Sequence, residues 1–406
     1  WLGTGNDMKL YHDASNSYIT NAVGALKIAT ETSGIAVTIG HTTSEVTVND
    51  NLTITGTING SDIITAATSN LGVGINAVNS ITTGDYNVGF GDEALTANTE
   101  GDQNVAIGFE ALKSNTTAIH NTAIGYRALY THVTGNDNTA VGQEALYTNN
   151  GGNENTAIGR RSLKANTTGN LNAALGEYAL AANTTGSENT AVGTNALLTN
   201  TTAGYNQALG YNALKLNTTG AYNTALGYRS LEDNTTGAKN TAVGNYSLYE
   251  NTTASDNTAI GYDALRANTT GHHNVAVGYG ALDANTTGAY NVAFGKHALG
   301  ANTTAHYNAA FGRNSLGVNT TGTYNSAFGY ASMETMTTGA NNTGIGPYAL
   351  YSNTTGGNNT AVGYDALRAN TTASNNVAVG YQALDACTTG NGITAIGRIA
   401  AGSLTT

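Results

Sequence analysis

One phrase repeats through most of this 406-residue chain. At its clearest it reads Asn-Thr-Ala-Val-Gly-Tyr-x-Ala-Leu-x-x-Asn-Thr-Thr-Gly-x-x, and it returns every 17 residues. Its central glycine falls at Gly74, Gly91, Gly108 and onward to Gly397, 20 times in step. The asparagine four places earlier recurs 19 times, from Asn70 to Asn376, before Ile393 breaks the series. No insertion interrupts the beat. A repeat this strict restricts the fold more than any other feature, because each unit must lean on the next in register. An array grows in length and not in radius, so 406 residues need not share one ordinary core.

The positions around the glycine sort by what they tolerate. Two before it stands Ala in 17 repeats and Gly in three (Gly72, Gly89, Gly344). One before it stands Val, Ile, Leu or Phe without exception, including four of the five phenylalanines: Phe90, Phe294, Phe311 and Phe328. Three after it comes only Ala or Ser; four after it comes Leu, except at Val78, Met333 and Ala401. Adjacent residues of a strand point to opposite faces. Here both neighbours are restricted, small on one face and bulky on the other, so both faces are expected to be dry. One fills the narrow interior of the coil, and the other packs on a second copy of the chain. The central glycine permits a bend or a positive φ.

The Asn-Thr-Thr-Gly half is a turn, since Asn and Gly accept left-handed backbone and Asn and Thr side chains bond nearby amides. Stacked in register, those side chains can form ladders along the axis. The charged residues and all array histidines are read as lying outside the restricted slots, at solvent-facing positions. With one coil per repeat and the ~4.8 Å spacing of paired strands, the 20 coils span about 95 Å. A helical reading fails because Gly, Asn and Thr at these frequencies oppose it.

Residues 1–60 form a β-rich shaft or attachment module, 61–69 a joint, and 70–406 the array. Met8 and Leu10, then Tyr18 and Ile19, flank a turn-rich cluster at Asp13–Asn16, which predicts a hairpin. Between Ile35 and Ile64 the alternation of Val37, Ile39, Val46, Val48, Leu52, Ile54 and Ile58 predicts short half-buried strands.

Charge and composition exclude several functions. The formal net charge is −11 with a pI near 5.0 and no basic stripe, so nucleic acid is not expected as a partner. No apolar run reaches the roughly 20 residues of a membrane helix. The single cysteine, Cys387, permits no internal disulfide and sits in a slot usually held by Asn. The start at Trp1 and the stop at Thr406 inside a repeat suggest a piece of a longer protein.

The phrases Asn-Thr-Ala-Ile-Gly-Tyr-Arg-Ala-Leu (121–129) and Asn-Val-Ala-Val-Gly-Tyr-Gln-Ala-Leu (376–384) resemble repeats of phage tail-fibre proteins, which often end in an endosialidase-type intramolecular chaperone. They are also similar to the Val-Ala-Ile-Gly repeats of trimeric autotransporter adhesin heads, which are left-handed parallel β-rolls of three chains. Residues 3–19 resemble tail-fibre segments of marine and cyanobacterial phages, and 46–60 looks like a fibre shaft. Adhesin repeats are shorter than this 17-residue unit, which implies an enlarged turn here. The chaperone has no counterpart between Trp1 and Thr406: either cleavage, as happens in that family, removes it, or it is not in this chain.

Chemistry needs a unique constellation, and the chain offers few. The eight histidines are His12, His41, His120, His132, His272, His273, His297 and His306. Only His272-His273 are adjacent; they lie in a variable turn without a cysteine nearby, which makes a poor zinc site. The acidic pairs Asp92-Glu93 and Glu232-Asp233 are the candidates for a glycan hydrolase, and both read as solvated surface charges. Tyrosines follow the central glycine at Tyr126, Tyr211, Tyr228, Tyr262, Tyr279, Tyr330, Tyr364 and Tyr381. These are the candidate glycan-contacting aromatics, against a structural reading in which they pack on one another. A second set precedes the repeat asparagine: Tyr86, Tyr205, Tyr222, Tyr290, Tyr307 and Tyr324. The 13 Asn-Thr-Thr triplets are formal glycosylation acceptors but follow the turn. Their threonines raise an ice-binding alternative, opposed by the opposite facing of adjacent strand residues.

The expectation is therefore an all-β solenoid or β-roll of 17-residue coils, assembled as an elongated homotrimeric fibre with no enzymatic activity, cofactor or metal. The implied partners are two further copies, other virion proteins at the N-terminal end, and a host cell-surface glycan or protein. The implied location is the virion, as a tail fibre or related appendage. A trimeric bacterial surface adhesin is the alternative.

Overall fold

A computed structural model describes residues 8–12, 17–21, 63–66 and 69–406. The chain divides into two units, Trp1–Gly56 and Thr57–Thr406. In the first unit β1 (Met8–His12) and β2 (Ser17–Asn21) pair antiparallel, with His12 opposite Ser17, around residues 13–16. This is the hairpin that the turn-rich cluster predicts. The strands expected over residues 35–62, the shaft-like stretch 46–60 and His41 lie outside the described residues.

The second unit is a parallel β-solenoid. β3 (Ile63–Ala66), within the stretch read as a joint, pairs antiparallel with β4 (Asn70–Val73). From β4 to β23 (Thr394–Ile396) every coil supplies one short strand, and the 20 strands make 19 turns. From β5 (Val88–Phe90) onward each strand is the three residues before the central glycine. Pairing is parallel with a constant offset of one repeat: Val88 opposite Val105, Ala106 opposite Ala123, Val377 opposite Thr394. No helix occurs among the described residues.

Three residues of strand leave most of each coil to turns, yet those turns also bond from coil to coil. Leu95 N–H donates to the Ala111 carbonyl at 3.1 Å, Ala97 to Lys113 at 3.1 Å, Thr99 to Thr116 at 3.0 Å and Gln103 back to Asp85 at 2.9 Å. The backbone polar groups of an irregular segment are thus satisfied by the next copy of the same segment, as burial demands.

The central glycine is required twice over. Its φ lies between 126° and 142° from Gly74 to Gly397, a region closed to L side chains. A Cβ on Gly227 would also stand 2.6 Å from the carbonyl oxygen of Gly244 in the next coil. The leucine four places on is also left-handed, at φ between 48° and 54°. Periodicity alone does not reveal this, because left-handed backbone is ordinarily left to Gly, Asn and Asp. Each such Leu is fully buried. Burial worth roughly 1.5–3 kcal/mol offsets a left-handed cost of roughly 1–2 kcal/mol.

The interior is thin and partly polar. Per coil it holds the strand Ala, the Ala or Ser, the Leu, and two asparagines, all buried. Both asparagine columns form ladders. In the first, Asn87 Nδ2 donates to Asn70 Oδ1 at 3.0 Å, and the Asn121 backbone N–H to Asn104 Oδ1 at 2.9 Å. In the second, seven after the glycine, Asn234 Nδ2 donates to Asn217 Oδ1 and to the Gly237 carbonyl, both at 2.9 Å.

Three residues interrupt the second ladder: His132, Met336 and Cys387. The asparagine one coil before each, Asn115, Asn319 and Asn370, has a buried Oδ1 without a hydrogen-bond donor. His132 corrects the expectation that the array histidines face solvent. It occupies an asparagine slot, is fully buried, and imitates the amide: Nε2 lies on the Gly135 carbonyl at 2.5 Å and Nδ1 lies 3.2 Å from Asn149 Nδ2. Burial pushes its pKa below 6.5, against the opposing pull of the Gly135 and Asn149 carbonyls. Glu110, Glu232 and Asp365 depart from the same expectation, being buried at the coil edge.

Candidate functional site

The outward face of the sheet carries two columns. One is the Val/Ile/Leu/Phe residue just before each central glycine; the other is the residue three before it, Thr in half of the coils and otherwise Val, Ala, Ser, Gln or Leu. Strand alternation dictates this, because the Ala between them points inward and is buried. The bulky column stays open to water in the single chain: Phe90 is 55% exposed, Leu209 51% and Ile345 43%. Neither column contains a charged residue anywhere from Leu71 to Ile396. A shallow apolar groove of about 170 Å³ runs between them at Thr190, Gln207, Leu209, Thr224 and Leu226, floored by Ala208 and Ala225.

Apolar side chains at this exposure are ordinary when scattered. Here they form an unbroken uncharged stripe along 20 coils, far beyond the patch a monomeric protein leaves open.

The tyrosines expected to contact glycans flank this stripe and are 41–50% exposed. They are not free platforms. Tyr211 and Tyr228 stack at 5.5 Å, Tyr262 and Tyr279 at 5.5 Å, Tyr364 and Tyr381 at 5.6 Å, and Tyr126 stacks on Phe109 at 5.7 Å. Tyr330 meets Tyr348 edge-on at 5.4 Å. Several outer faces are covered too: Lys296 lies over Tyr279, Arg398 over Tyr381, Arg127 over Tyr126 and Arg313 over Tyr330. Stacking on a sugar ring needs an open aromatic face. These rows offer chiefly edges and hydroxyls. Five of the second set behave alike: Tyr205–Tyr222 stack at 4.9 Å, and Tyr290, Tyr307 and Tyr324 form a continuous column at 5.1 and 5.0 Å, whereas Tyr86 is 62% exposed with Gln103 at its place in the next coil.

The acidic pairs are committed elsewhere. Asp92 Oδ1 accepts the Ile75 amide at 2.9 Å, and Glu93 pairs with Lys113. Glu232, read from sequence as a solvated charge, is buried against Arg229. Asp233 is pushed up by burial and by Glu232 beside it. Glu110 is pushed up by burial, but Lys113 at 2.5 Å and Arg127 at 2.5 Å hold it below 4.5. These pairs brace neighbouring turns. Among the described residues no cluster of His, Cys, Asp and Glu could hold a metal ion, and no helix is long and apolar enough to cross a membrane.

The turn threonines are not strand residues. Thr167 and Thr168 both donate their amides to the Thr184 carbonyl, at 2.9 and 3.2 Å, and Thr167 Oγ1 joins them at 2.9 Å. Alternation therefore does not govern their facing: the first threonine is half-buried, and the second is exposed. The Asn of each Asn-Thr-Thr triplet is buried in the second ladder, so an oligosaccharide on its Nδ2 is incompatible with the coil.

No protein-family model matches the chain, and no curated protein matches it in sequence.

Proposed function

We propose that the array is one strand of a side-by-side homotrimeric fibre, serving as an adhesive appendage of a phage virion. The observation that carries the reading is the uncharged apolar stripe on the outer sheet face. Its occupant must present complementary groups at the pitch of one coil along the whole array, and a second copy of this chain has that pitch. A stable interface covers about 800 Å² per partner, so 20 coils need bury only about 40 Å² each. The two outward columns differ, one wholly Val, Ile, Leu or Phe and the other half Thr, so rotation about an axis along the array sets one copy's aliphatic column beside its neighbour's second column and closes a ring. The phage owner rests on the resemblance of residues 121–129 and 376–384 to tail-fibre repeats, and the number three on the similarity of the same phrases to the repeats of trimeric adhesin heads. In such a fibre many weak contacts act together across three chains.

Light scattering on the purified chain tests the assembly. Three times the 41.3 kDa chain mass is expected; a monomer at micromolar concentration overturns the reading. Antibody labelling tests the owner. Label on a particle appendage supports the phage, and label confined to a bacterial envelope supports the surface-adhesin alternative.

A further inference from the structure

A perfectly periodic stripe has one defect as an interface. Copies sliding past one another by a coil, ~4.8 Å, would find nearly the same contacts, and register is weakly specified wherever pattern does not fix it. The bulky column departs from aliphatic side chains at four places. Phe90 stands alone. Phe294, Phe311 and Phe328 stand together on successive coils, their rings parallel at 5.4 and 4.7 Å with interplanar angles of 4° and 6°. Phe294 and Phe328 are exposed and Phe311 is half-buried. Across the strand from them the second column reads Val292, Ala309 and Ser326, so the last two rings have small neighbours on their own strand. The block is off-centre in the array. In an antiparallel arrangement it would meet Val141, Ile158 and Leu175, and only a parallel, unslipped one sets the three rings against their own counterparts.

Resting on the side-by-side reading above, we propose that the Phe294–Phe311–Phe328 stack is the register key of the assembly: stacks from separate copies meet at one level and forbid both slippage and antiparallel pairing. The partner it fits is another copy of this chain at the same height. The rings contribute nothing to the coil interior, so replacing them leaves each solenoid intact.

The test moves the key along the full-length chain. In one copy the block is shifted by three coils, with Phe294→Val, Phe311→Val and Phe328→Val combined with Ile345→Phe, Val362→Phe and Val379→Phe. This copy carries Val243→Cys and is co-expressed with native-block copies carrying either Val192→Cys or Val243→Cys, all with Cys387→Asn. Crosslinking of Val192→Cys to Val243→Cys, exceeding the equal-level product by about ten-fold or more, shows that aligned blocks set the register. Crosslinking only between equal levels overturns the proposal while leaving the assembly standing. A monomer in light scattering, with no crosslink at either level, overturns the side-by-side reading itself. The triple Phe→Val chain on its own is the second check: a spread of crosslinked levels supports the key, and a single equal-level product contradicts it.

Discussion

At the scale of single residues, the second asparagine ladder shows how a buried polar column is kept and where it fails. Each Nδ2 serves the previous coil's Oδ1 and a turn carbonyl, so the column is satisfied only while every member is an amide. His132 keeps the two contacts its ring can imitate and abandons Asn115 Oδ1. A buried acceptor left without a donor costs about 1–3 kcal/mol. His132→Asn is therefore expected to stabilise the surrounding coils by that order, read as slower amide exchange from Asn115 to Asn149. The same change bears on pH. The folded-state pKa of His132 is depressed below 6.5, so the unfolded chain binds the proton first. This contribution is fully present above pH 6.5 and is lost as pH falls towards the folded value. His132→Asn should flatten the acid side of a stability–pH profile in that window, and an unchanged profile would contradict the assignment. In the opposite direction, Asn234→Ala removes donors from Asn217 Oδ1 and Gly237 O and an acceptor from Asn251. A loss of about 1–3 kcal/mol per orphaned group is expected in chemical denaturation. The asparagine columns and the Cys387 interruption were legible in the sequence, whereas His132 was read as solvent-facing and Met336 passed without notice. The cost of the interruptions was not legible, because spacing does not say which atoms a side chain must serve.

At the scale of the coil, two positions make the turn possible. The central glycine combines a left-handed φ with backbone contact from the next coil. Gly227→Ala must therefore strain its own backbone and separate two coils whose spacing the strand bonds fix. The expected result is local unfolding around coils 210–244, seen as proteolytic nicking there while distant coils stay protected. The leucine is the opposite case. A side chain that dislikes its backbone conformation is held there by burial on all sides. Leu231→Ala is expected to cost about 2–5 kcal/mol, measured by denaturant midpoint. Asn at the same position would accept the backbone and lose the packing; if it is tolerated, burial is not what holds the turn. Sequence periodicity identified both columns as restricted. It read the glycine as a bend or a positive φ, and the leucine only as a restricted position. The left-handed leucine backbone escaped it, since nothing in a leucine announces a positive φ.

At the scale of the molecule, charges and apolar groups are segregated. Ion pairs such as Glu110 with Lys113 and Arg127, or Glu144 with Arg161 and Lys164, lie on the turns. The outer sheet face has none. Assembly through that face should accordingly persist in salt concentrated enough to screen exposed pairs, with a Debye length of about 3 Å at 1 M. Sedimentation across a salt series checks this, and dissociation with rising salt would assign the interface to the charged turns instead. The aromatic rows lie beside the stripe as ladders closed on themselves, which makes them struts of the coil surface before they are anything else.

The amino-acid sequence by itself determined the period, the in-register stacking of coils and the two restricted, opposite faces of each strand, because a fixed offset of 17 and strand alternation require them; that the alanine points inward and the aliphatic residue outward was left to the structure. Tertiary structure alone decided which polar side chains are buried, that most of the tyrosines stack on neighbouring rings, and that the turn threonines escape alternation. Those outcomes depend on contacts between residues one coil apart, and such contacts exist only once the coils have closed on one another.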